Sequence, residues 1–464
     1  MFLLIVRNKS SIVKPLLRRT LTNFVERGLS SNRNENHYDI IITGGGMIGT
    51  TLACTLGKNA KLANKHILLL EAGKQKVWSL PEKYSNRVVS INPGTYKLLN
   101  YIGAWKHIEA SRYAAVKRLQ VWDAVSDASI TFGEEENTDN VSYIVENDLL
   151  IAAVNEEVKT VDKVKIQYNA RVKDYHLPEY HENVTQITLD NGDTYTCELL
   201  LGCDGVNSEV RKAMKVNYLN WNYHQLGVVA TLKLSESIKN IIAWQRFLPT
   251  GPIAFLPLTD NLSSLVWSTT PENAKELLKI PEDQFVDAVN SAMWKNYEKS
   301  NIIDQATRTF DSVLRLMNCP SDTVRQFPPK IAGIEEGSRA AFPLGFGHSL
   351  NYIGKGVALV GDAAHRIHPL AGQGVNLGFG DITCLNEVLG NAVYSGSRLN
   401  NLSYLKEYET ERQRHNIPTM LAVEGLHRLY NSDFTPLVLL RSLGLQATHA
   451  LSPVKRAIIN QAST

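Results

Sequence analysis

The sequence of 464 residues is poor in cysteine and has no long apolar run. Its five cysteines are scattered and form no Cys-x-x-Cys pair, which excludes the usual cysteine-rich zinc sites and favours buried free thiols in a reducing compartment. No stretch reaches the roughly 18 apolar residues of a membrane span. The nearest candidate, residues 436–445, contains Arg441 and predicts a buried or interfacial helix. Repeats and basic, aromatic-rich segments are also absent, so no nucleic-acid partner is expected.

Metal ligands are equally sparse. His365 and His368 lie three residues apart, but no cysteine or acid stands at a ligand spacing from them. A local structural role is the better interpretation of the pair, and no metal site is expected.

Acidic residues are missing from the N-terminal segment. Residues 1–25 contain five Lys and Arg residues and no Asp or Glu, whereas the whole chain has a net charge of only +3. The short apolar run over residues 2–6 precedes the bases, which is the reverse of a secretory signal. This composition predicts a mitochondrial transit peptide over residues 1–36, cleaved between about residues 28 and 36, in preference to a disordered basic tail.

A glycine pattern follows the first predicted strand. Residues 38–43 alternate too little for a half-exposed strand and predict a buried parallel one. Gly44, Gly46 and Gly49 follow in the Gly-x-Gly-x-x-Gly spacing of dinucleotide-binding folds. In that pattern the first glycine allows the tight turn, the second lets backbone N–H groups approach a pyrophosphate, and the third lets the helix pack closely on the strand.

An acidic residue stands where such a fold needs one. The second apolar run, residues 66–70, ends at Glu71, which is 22 residues after Gly49. That spacing is close to the offset of about 20 expected for the acid that binds ribose hydroxyls. An acid here favours an unphosphorylated ribose, as in FAD or NAD, over NADP. The pattern does not by itself separate FAD from NAD.

A second glycine-rich segment follows the short apolar run 357–360. Gly361 and Asp362 come directly after it, at the carboxyl end of a predicted strand, where open α/β sheets bind ligands. The Asp362 carboxylate would accept hydrogen bonds from ribityl or ribose hydroxyls. A helix predicted from near Asn376 would place N–H donors beside the pyrimidine ring of a flavin. The residues that open this helix are Gly372, Gln373 and Gly374. Together the two segments predict a bound flavin, against the alternative of loops without a ligand.

The residues from His365 to Asp381 resemble a known family. They read His-x-x-His-Pro-Leu-Ala-Gly-Gln-Gly-x-Asn-Leu-Gly-x-x-Asp, which is similar to the signature of the ubiquinone-biosynthesis hydroxylases within the class A FAD-dependent aromatic hydroxylases. The resemblance extends from about Tyr38 to Arg414. It implies the fold of para-hydroxybenzoate hydroxylase: an α/β protein with a Rossmann-type FAD-binding domain, an interleaved substrate domain with a mixed or antiparallel sheet, and a helical C-terminus.

The resemblance also implies roles for further residues. Asp204, in a segment similar to a second Asp-Gly motif of the family, would lie between FAD and the path of the reductant; Cys203 stands where the family usually has alanine. Arg87 would contact the phosphate or the flavin. The candidates for the substrate pocket are Arg246, Pro257, His368, Pro369 and Leu370. No side chain is assigned as a certain catalytic group, because the flavin performs the chemistry.

The pattern of strands and helices predicts interleaved domains. The FAD-binding domain is expected to comprise residues 37–110, 146–217 and 336–400, and the substrate domain residues 111–145 and 218–335. Within the substrate domain one helical stretch is predicted, over residues 281–300. Residues 401–464 are expected to be helical, with the interleaved charges of residues 404–414 on a solvated face.

The function implied by the resemblance is a monooxygenase reaction in the mitochondrion. Reduced FAD would react with O₂ to give a hydroperoxide that hydroxylates carbon 5 of the aromatic ring of polyprenyl-hydroxybenzoate intermediates in ubiquinone biosynthesis. The resemblance further implies peripheral association with the matrix side of the inner membrane and membership of the coenzyme Q synthesis complex. Electrons would come from a ferredoxin and its NADPH-dependent reductase.

Three alternatives share parts of the pattern. A class A hydroxylase of a small soluble aromatic would carry both glycine segments. A flavin-dependent dehydrogenase or reductase that does not use O₂ would have the same fold. A non-enzymatic binder of prenylated proteins, similar to the Rab GDP-dissociation inhibitors, would share the first glycine pattern and an apolar groove, but Gly361, Asp362 and Arg87 argue against it.

Overall fold

A computed structural model describes residues 36–126, 128–133, 140–179, 182–297, 301–316, 326–431 and 434–463. The predicted transit peptide lies outside the described residues except for Asn36. Of the five cysteines, Cys319 also lies outside them. The other four are free thiols, and three of these are buried. Burial raises the pKa of Cys54 to about 11 and that of Cys384 to about 12.

The described residues form twenty strands and twelve α-helices. The strands are β1 His37–Thr43, β2 Ile67–Leu70, β3 Val88–Ile91, β4 Ala114–Val116, β5 Arg118–Asp123, β6 Ser129–Phe132, β7 Ser142–Glu146, β8 Val164–Gln167, β9 Val172–His176, β10 Thr185–Leu189, β11 Thr194–Gly202, β12 Tyr218–Leu234, β13 Ile242–Leu248, β14 Gly251–Thr259, β15 Leu262–Thr269, β16 Ile331–Ile334, β17 Ala340–Ser349, β18 Ile353–Gly354, β19 Val357–Leu359 and β20 His365–Arg366. The helices are α1 Met47–Lys58, α2 Pro93–Tyr101, α3 Trp105–Glu109, α4 Asn147–Val158, α5 Glu209–Ala213, α6 Pro271–Lys279, α7 Glu282–Trp294, α8 Asn301–Leu316, α9 Gly374–Tyr394, α10 Leu402–Tyr430, α11 Thr435–Ala450 and α12 Ser452–Ser463.

The first sheet has a parallel centre. Its strands run in the order β18, β19, β11, β1, β2, β8, with β10 beside β11 and β9 beside β10, and the neighbours from β19 to β8 are parallel. The isoleucines of β1 and the leucines of β2 are buried on both faces, as the continuous apolar runs predicted. Fully burying one such side chain contributes about 1.5–3 kcal/mol. Helices α1, α4 and α9 supply further residues of the same apolar core.

The second sheet is largely antiparallel. Its order is β20, β17, β12, β15, β14, β13, β5, β6, with β16 beside β12. Strands β17 and β20 belong to it, although both fall within residues 336–400, which the sequence assigned to the FAD-binding domain. A third, smaller sheet contains β3, β7 and β4.

The two faces of the second sheet have different neighbours. One face, here called the outer face, carries Trp244, Phe255 and Trp267 and packs in one apolar cluster with residues of α6 and α7. The opposite face, called the inner face, carries Gln245, Phe247, Ala254 and Val266, because side chains alternate along a strand. The inner face contacts the segment between β20 and α9.

The number of helices beside the second sheet differs from the sequence prediction. The single helical stretch predicted over residues 281–300 is α7 alone, and α6 and α8 flank it. Helix α6 has clear terminal signals that the sequence interpretation missed, since Thr270 accepts a hydrogen bond from the Asn273 N–H and Pro271 occupies the first turn. In α11 the side chain of Arg441 is buried and bonded to Asp123, so this helix is anchored to β5.

Candidate flavin and substrate site

The first glycine loop joins β1 to α1 and is closed by backbone contacts. Gly44 has a φ of +99°, and a Cβ atom on it would lie 2.4 Å from the carbonyl oxygen of Cys203. A Cβ on Gly49 would lie 1.9 Å from the Gly44 carbonyl oxygen. Neither carbonyl can yield without moving a strand or the loop, so both positions require glycine for the fold itself.

Gly46 differs from its two neighbours in the pattern. A Cβ built on it would meet no atom of the described residues within 4 Å, and its backbone is extended with a φ of −73°. Gly46 is the N-cap of the 12-residue helix α1, which has no side-chain cap and no acid in its first turn. The N–H groups of this turn therefore face open space, where a helix terminus favours an anion.

Glu71 lies beside this loop, at the carboxyl end of β2. One carboxylate oxygen accepts a hydrogen bond of 2.6 Å from the Gly45 N–H, and the other accepts one of 2.6 Å from the Gly73 N–H. Arg87, just before β3, is exposed, and its side chain makes no hydrogen bond or ion pair within the described part of the chain. An acid thus stands at the open end of α1, and Arg87 is a base without a partner among the described residues.

The strand order brings the other predicted residues to the same edge. In the parallel register Thr43 pairs with both Leu70 and Gly202, and Gly202 pairs with Leu359. Glu71, Gly44, Asp204 and Gly361 therefore follow four adjacent strands, at the carboxyl edge where open α/β sheets bind ligands. Sequence reasoning placed Gly44, Glu71 and Gly361 at strand ends and assigned Asp204 by resemblance, and the topology places all four strand ends side by side.

The two acids at this edge are held differently. One oxygen of Asp204 accepts hydrogen bonds from the N–H groups of Glu209 and Val210, while its Oδ1 is buried without a partner among the described residues. The side chain of Asp362 is exposed, yet burial raises the pKa of its carboxyl, with His365 and Arg366 opposing the shift. The Asp362 carboxylate is thus reached by solvent but surrounded by protein atoms, as in a recess of the surface. Both carboxylates therefore have acceptor capacity left over beside the glycine loops.

A buried network below the second glycine segment was not predicted from the sequence. Asp381 of α9 accepts hydrogen bonds from the Gly361 N–H at 2.9 Å and from His365 Nε2 at 2.7 Å. Its second oxygen accepts from Arg412 Nε at 2.8 Å and from the amide of Asn416 at 3.2 Å. Burial alone would raise the pKa of Asp381, but His365 and Arg412 hold it well below its usual range.

The Arg412 side chain corrects one sequence prediction. Residues 404–414 were expected to place their charges on a solvated face, yet Arg412 of α10 is only 6% exposed. The signal in the sequence was Asp381, a single acid within the apolar first half of α9, because a buried carboxylate requires a partner. The network fixes the Gly361 turn, whose φ is +65°, against α9 and α10.

The turn between β20 and α9 carries the remaining predicted cofactor residues. Gly372 has a φ of +61°, and a Cβ on Gly374, the first residue of α9, would have only Ile367 nearby, at 3.7 Å. Asn376 is buried, and its amide nitrogen donates to the carbonyls of Ser90 and Gly372. Its oxygen accepts from the Asn92 N–H and the Thr95 hydroxyl. The Asn376 side chain thus ties this turn to β3 and α2, while Gln373 is half-buried at the helix N-cap.

His368 holds the same turn from the other side. Its Nδ1 accepts a hydrogen bond from the Leu370 N–H at 3.1 Å, so its Nε2 carries the proton and donates to Gln225 Oε1 at 3.2 Å. Burial, assisted by the nearby His427, lowers the pKa of His368 to about 3. His368 is therefore neutral and structural. Pro369 is half-buried, and Leu370 packs with Phe247 of the inner face.

Two of the predicted substrate residues lie on the wrong face of the sheet for this turn. Arg246 donates to the carbonyls of Ala292 and Lys295 at the end of α7, on the outer face. Pro257 shares that face with Phe255 by strand alternation. The residue beside Arg246, Gln245, instead donates to the Leu370 carbonyl at 3.0 Å. Arg246 and Gln245 are adjacent in β13 but lie on opposite faces of the sheet, and only Gln245 contacts the turn that opens α9.

These features fit a flavin dinucleotide. Two glycine segments leave helix N-termini uncovered, and Asp204 presents an unpartnered oxygen between them. No group of three or more His, Cys, Asp or Glu side chains suited to a metal ion occurs among the described residues.

Comparison with known proteins supports the same conclusion. The chain matches the FAD binding domain family over residues 37–311 and 351–420. It is 50% identical over 446 residues to the ubiquinone biosynthesis monooxygenase COQ6, mitochondrial, of Danio rerio, covering 94% of this chain and 92% of the relative. The identity to the COQ6 protein of Homo sapiens is 48% over 444 residues, covering 94% of this chain and 95% of the relative.

Solved structures share the fold at low sequence identity. The p-nitrophenol 4-monooxygenase PnpA from Pseudomonas putida superimposes with a TM-score of 0.65 at 15% identity, covering 92% of this chain and 99% of that one. The OxyS anhydrotetracycline hydroxylase from Streptomyces rimosus gives a TM-score of 0.60 at 19% identity, covering 92% and 76%. The predicted fold class and FAD are thereby confirmed. The chain belongs to the family of mitochondrial, FAD-dependent ubiquinone biosynthesis monooxygenases.

Proposed function

We propose that this monooxygenase hydroxylates carbon 5 of the aromatic ring of polyprenyl-hydroxybenzoate intermediates. The observation that carries the proposal is the contact between the inner face and the turn that opens α9, made by Gln245 with the Leu370 carbonyl and by Leu370 with Phe247. An aromatic ring held against this face would lie beside the residues that open α9. The names of the relatives at 48–50% identity supply the pathway.

We assign the cofactor residues from the geometry of the two loops. Gly44 and Gly49 form the first loop, Gly46 and the first turn of α1 bind the pyrophosphate, and Glu71 binds ribose hydroxyls. Asp362, after Gly361, binds the ribityl chain. Asp204 offers its unpartnered Oδ1 to the cofactor as a hydrogen-bond acceptor, and the guanidinium of Arg87 contacts the phosphate or the flavin. The backbone over Gly372, Gln373 and Gly374 faces the pyrimidine ring, with Asn376 holding that backbone in place.

The chemistry is divided between cofactor and protein. FAD, when bound and reduced, supplies the activation of O₂ and the transfer of one oxygen atom. The chain orients the ring against the inner face, and the apolar packing of Leu370 and Phe247 excludes water from that side. The N–H groups at the start of α9 stabilise negative charge that develops on an adjacent ring. Neutral His368 keeps its turn in place without adding charge.

The surroundings of the reaction are also part of the proposal. A ferredoxin and its NADPH-dependent reductase deliver the electrons, and the protein works within the coenzyme Q synthesis complex on the matrix side of the inner membrane. Within the part of the chain that the structure describes, no helix combines the length and apolar character needed to cross a membrane. Peripheral association is proposed on the resemblance to the ubiquinone-biosynthesis hydroxylases. The division into an FAD-binding domain around the first sheet and a substrate domain around the second is proposed with it.

The test is a reconstituted reaction with two matched phenols. The mature protein, loaded with FAD and supplied with ferredoxin, ferredoxin reductase and NADPH, is given a prenylated 4-hydroxybenzoate or 4-hydroxybenzoate itself. We expect the prenylated compound to gain one oxygen atom at carbon 5, located by NMR. Equal or faster turnover of the unprenylated compound would indicate a hydroxylase of small soluble aromatics. Oxidation without oxygen incorporation would contradict the monooxygenase step.

A further inference from the structure

Gln245 is a polar side chain in an otherwise apolar row across the inner face. In the register of the sheet Gln245 pairs with Val121 of β5 on one side and with Ala254 of β14 on the other. The row continues through Val266 of β15 and Val229 of β12. Along its own strand the residues on the same face are Ala243 and Phe247. A single amide in an apolar wall is the arrangement that orients a small aromatic ligand.

Part of this row lines open space. Gln245, Ala254 and Val266 are only half-buried, whereas Phe255 and Leu265, which lie on the outer face of the neighbouring strands, are fully buried. A sheet covered by helices on its outer face thus leaves part of its inner face accessible. The accessible part lies next to the Leu370 turn, which leads directly into α9.

The hydrogen bond to Leu370 fixes the orientation of the Gln245 amide. A backbone carbonyl only accepts, so the group 3.0 Å from the Leu370 oxygen is the NH₂ of Gln245. Its Oε1 makes no hydrogen bond within the described residues and remains an acceptor toward the open space. The turn that receives this bond is itself fixed, since His368 accepts from the Leu370 N–H and donates to Gln225. The acceptor is therefore preorganised, and a ligand that carries a hydroxyl donor complements it.

We propose that Gln245 is a specificity-determining residue that binds the phenolic hydroxyl of the substrate through its Oε1. The inference rests on the proposed function, because it concerns the same ring. Carbon 5 is adjacent to the carbon that bears this hydroxyl. A hydrogen bond at the hydroxyl brings its neighbouring ring carbons toward the cofactor, and carbon 5 is the one of these that does not carry the prenyl chain. A neutral amide cannot remove the proton. Gln245 therefore orients the phenol, and its contribution is expected in binding and in the position of hydroxylation.

The test compares binding of two ligands that differ in the hydroxyl alone. A prenylated 4-hydroxybenzoate and the prenylated benzoate without the hydroxyl are titrated into oxidised, FAD-loaded protein, and the change in flavin absorbance gives each Kd. We expect wild type to bind the phenol about tenfold more tightly than its analogue, the effect of one good hydrogen bond. Gln245→Leu should lose this discrimination, with the analogue bound within about twofold of wild type.

Two further variants separate orientation from folding. Gln186→Leu, the same change at an exposed position of β10 in the first sheet, should retain the full discrimination. Gln245→Asn has the same amide on a shorter side chain and should restore part of it. Flavin content is measured for each variant. If Gln245→Leu binds flavin normally and still prefers the phenol tenfold, Gln245 does not read the hydroxyl, while the proposed reaction stands. If wild type itself shows no preference for the phenol, the inference about Gln245 is wrong, even when the prenylated compound is hydroxylated. If the prenylated compound is neither bound nor hydroxylated, the proposed function fails as well.

Discussion

The cofactor side and the substrate side of this molecule are built from different parts of the chain. Around the first sheet the candidate contacts are mostly backbone groups at strand ends and helix N-termini, as at the first turn of α1, where Gly46 leaves open space among the described residues. Around the second sheet the candidate contacts are side chains, above all Gln245 and Phe247, selected by strand parity. A ligand bound by backbone groups requires glycines at a fixed spacing, which can be recognised in the sequence. A ligand bound by side chains requires particular residues, but no fixed spacing marks them.

The two regions also separate two uses of glycine. Gly44 and Gly49 serve the fold, because a side chain at either position would collide with backbone. Gly46 and Gly374 have room for a side chain and are needed only if a ligand occupies that room. Substitutions that distinguish these uses therefore test the cofactor site without disturbing the protein around it.

The largest effect is expected at the buried pair beneath the second loop. Arg412→Ala leaves the Asp381 carboxylate buried without its cation, which destabilises a protein by about 3–5 kcal/mol. We expect a lower midpoint of urea unfolding, with loss of FAD because the Gly361 turn depends on Asp381. The matched control is Arg414→Ala on the same helix, since Arg414 is exposed and pairs with Glu411 at 3.7 Å. That change should cost less than about 1 kcal/mol. Equal stability of the two variants would show that the pair does not support the loop.

The next effect concerns flavin affinity alone. Gly46→Val fills space that is open in the protein and allowed by the extended backbone at this residue. We expect the free energy of unfolding to fall by no more than about 1 kcal/mol, because valine is a poorer N-cap than glycine. FAD binding, measured by fluorescence titration, should weaken at least about 100-fold, or about 2.8 kcal/mol. Gly425→Val, at an exposed helical glycine with equal room, should retain FAD. If the Gly46→Val variant has the flavin content of wild type, the pyrophosphate does not bind at this loop.

A smaller effect is expected at the second loop. Gly374→Val meets Ile367 at an ordinary contact distance of 3.7 Å, so the fold should tolerate it. The added side chain would stand beside the backbone proposed to face the pyrimidine ring. We expect FAD affinity or turnover to fall about tenfold, equivalent to about 1.4 kcal/mol. Unchanged affinity and unchanged turnover together would exclude the start of α9 from the cofactor site.

The same difference explains how much could be predicted. The sequence identified β1, the loop after it, Glu71 and the Gly361 turn, because parallel strands and glycine spacing are local patterns. The resemblance to the ubiquinone-biosynthesis hydroxylases supplied the interleaved second sheet. The sequence does not show which face of β13 each side chain occupies, since both Arg246 and Gln245 lie in an apolar strand and only the packed helices α6 and α7 reveal which face is outer.

Ion pairs between residues far apart in the chain could not be predicted from the sequence either. Asp381 and Arg412 lie 31 residues apart, on different helices, and α10 carries many other charges. Asp123 and Arg441 are 318 residues apart. Nothing local marks the partner of a buried ion, because the pairing depends on how helices cross. A buried acid in an apolar segment predicts that a partner exists and leaves its identity open.

The smallest effect tests the neutral side chain that holds the turn between the two regions. His368 has a pKa near 6.5 when unfolded and about 3 in the folded protein, so the unfolded chain binds more protons between these values. Stability conferred by neutral His368 is therefore complete above pH 6.5 and is lost as the pH falls toward 3. Between pH 7.5 and 5.5 the loss is about 1 kcal/mol. His368→Gln replaces the imidazole with an amide that can still donate to Gln225, and it removes this titration. The stability of the variant should therefore fall less over that pH interval, measured by urea unfolding at fixed ionic strength. His427, which faces His368 and is also kept neutral by burial, contributes similarly to the pH dependence of the unfolding free energy in wild type and variant. If that pH dependence is identical in the two proteins, His368 is not the titrating group.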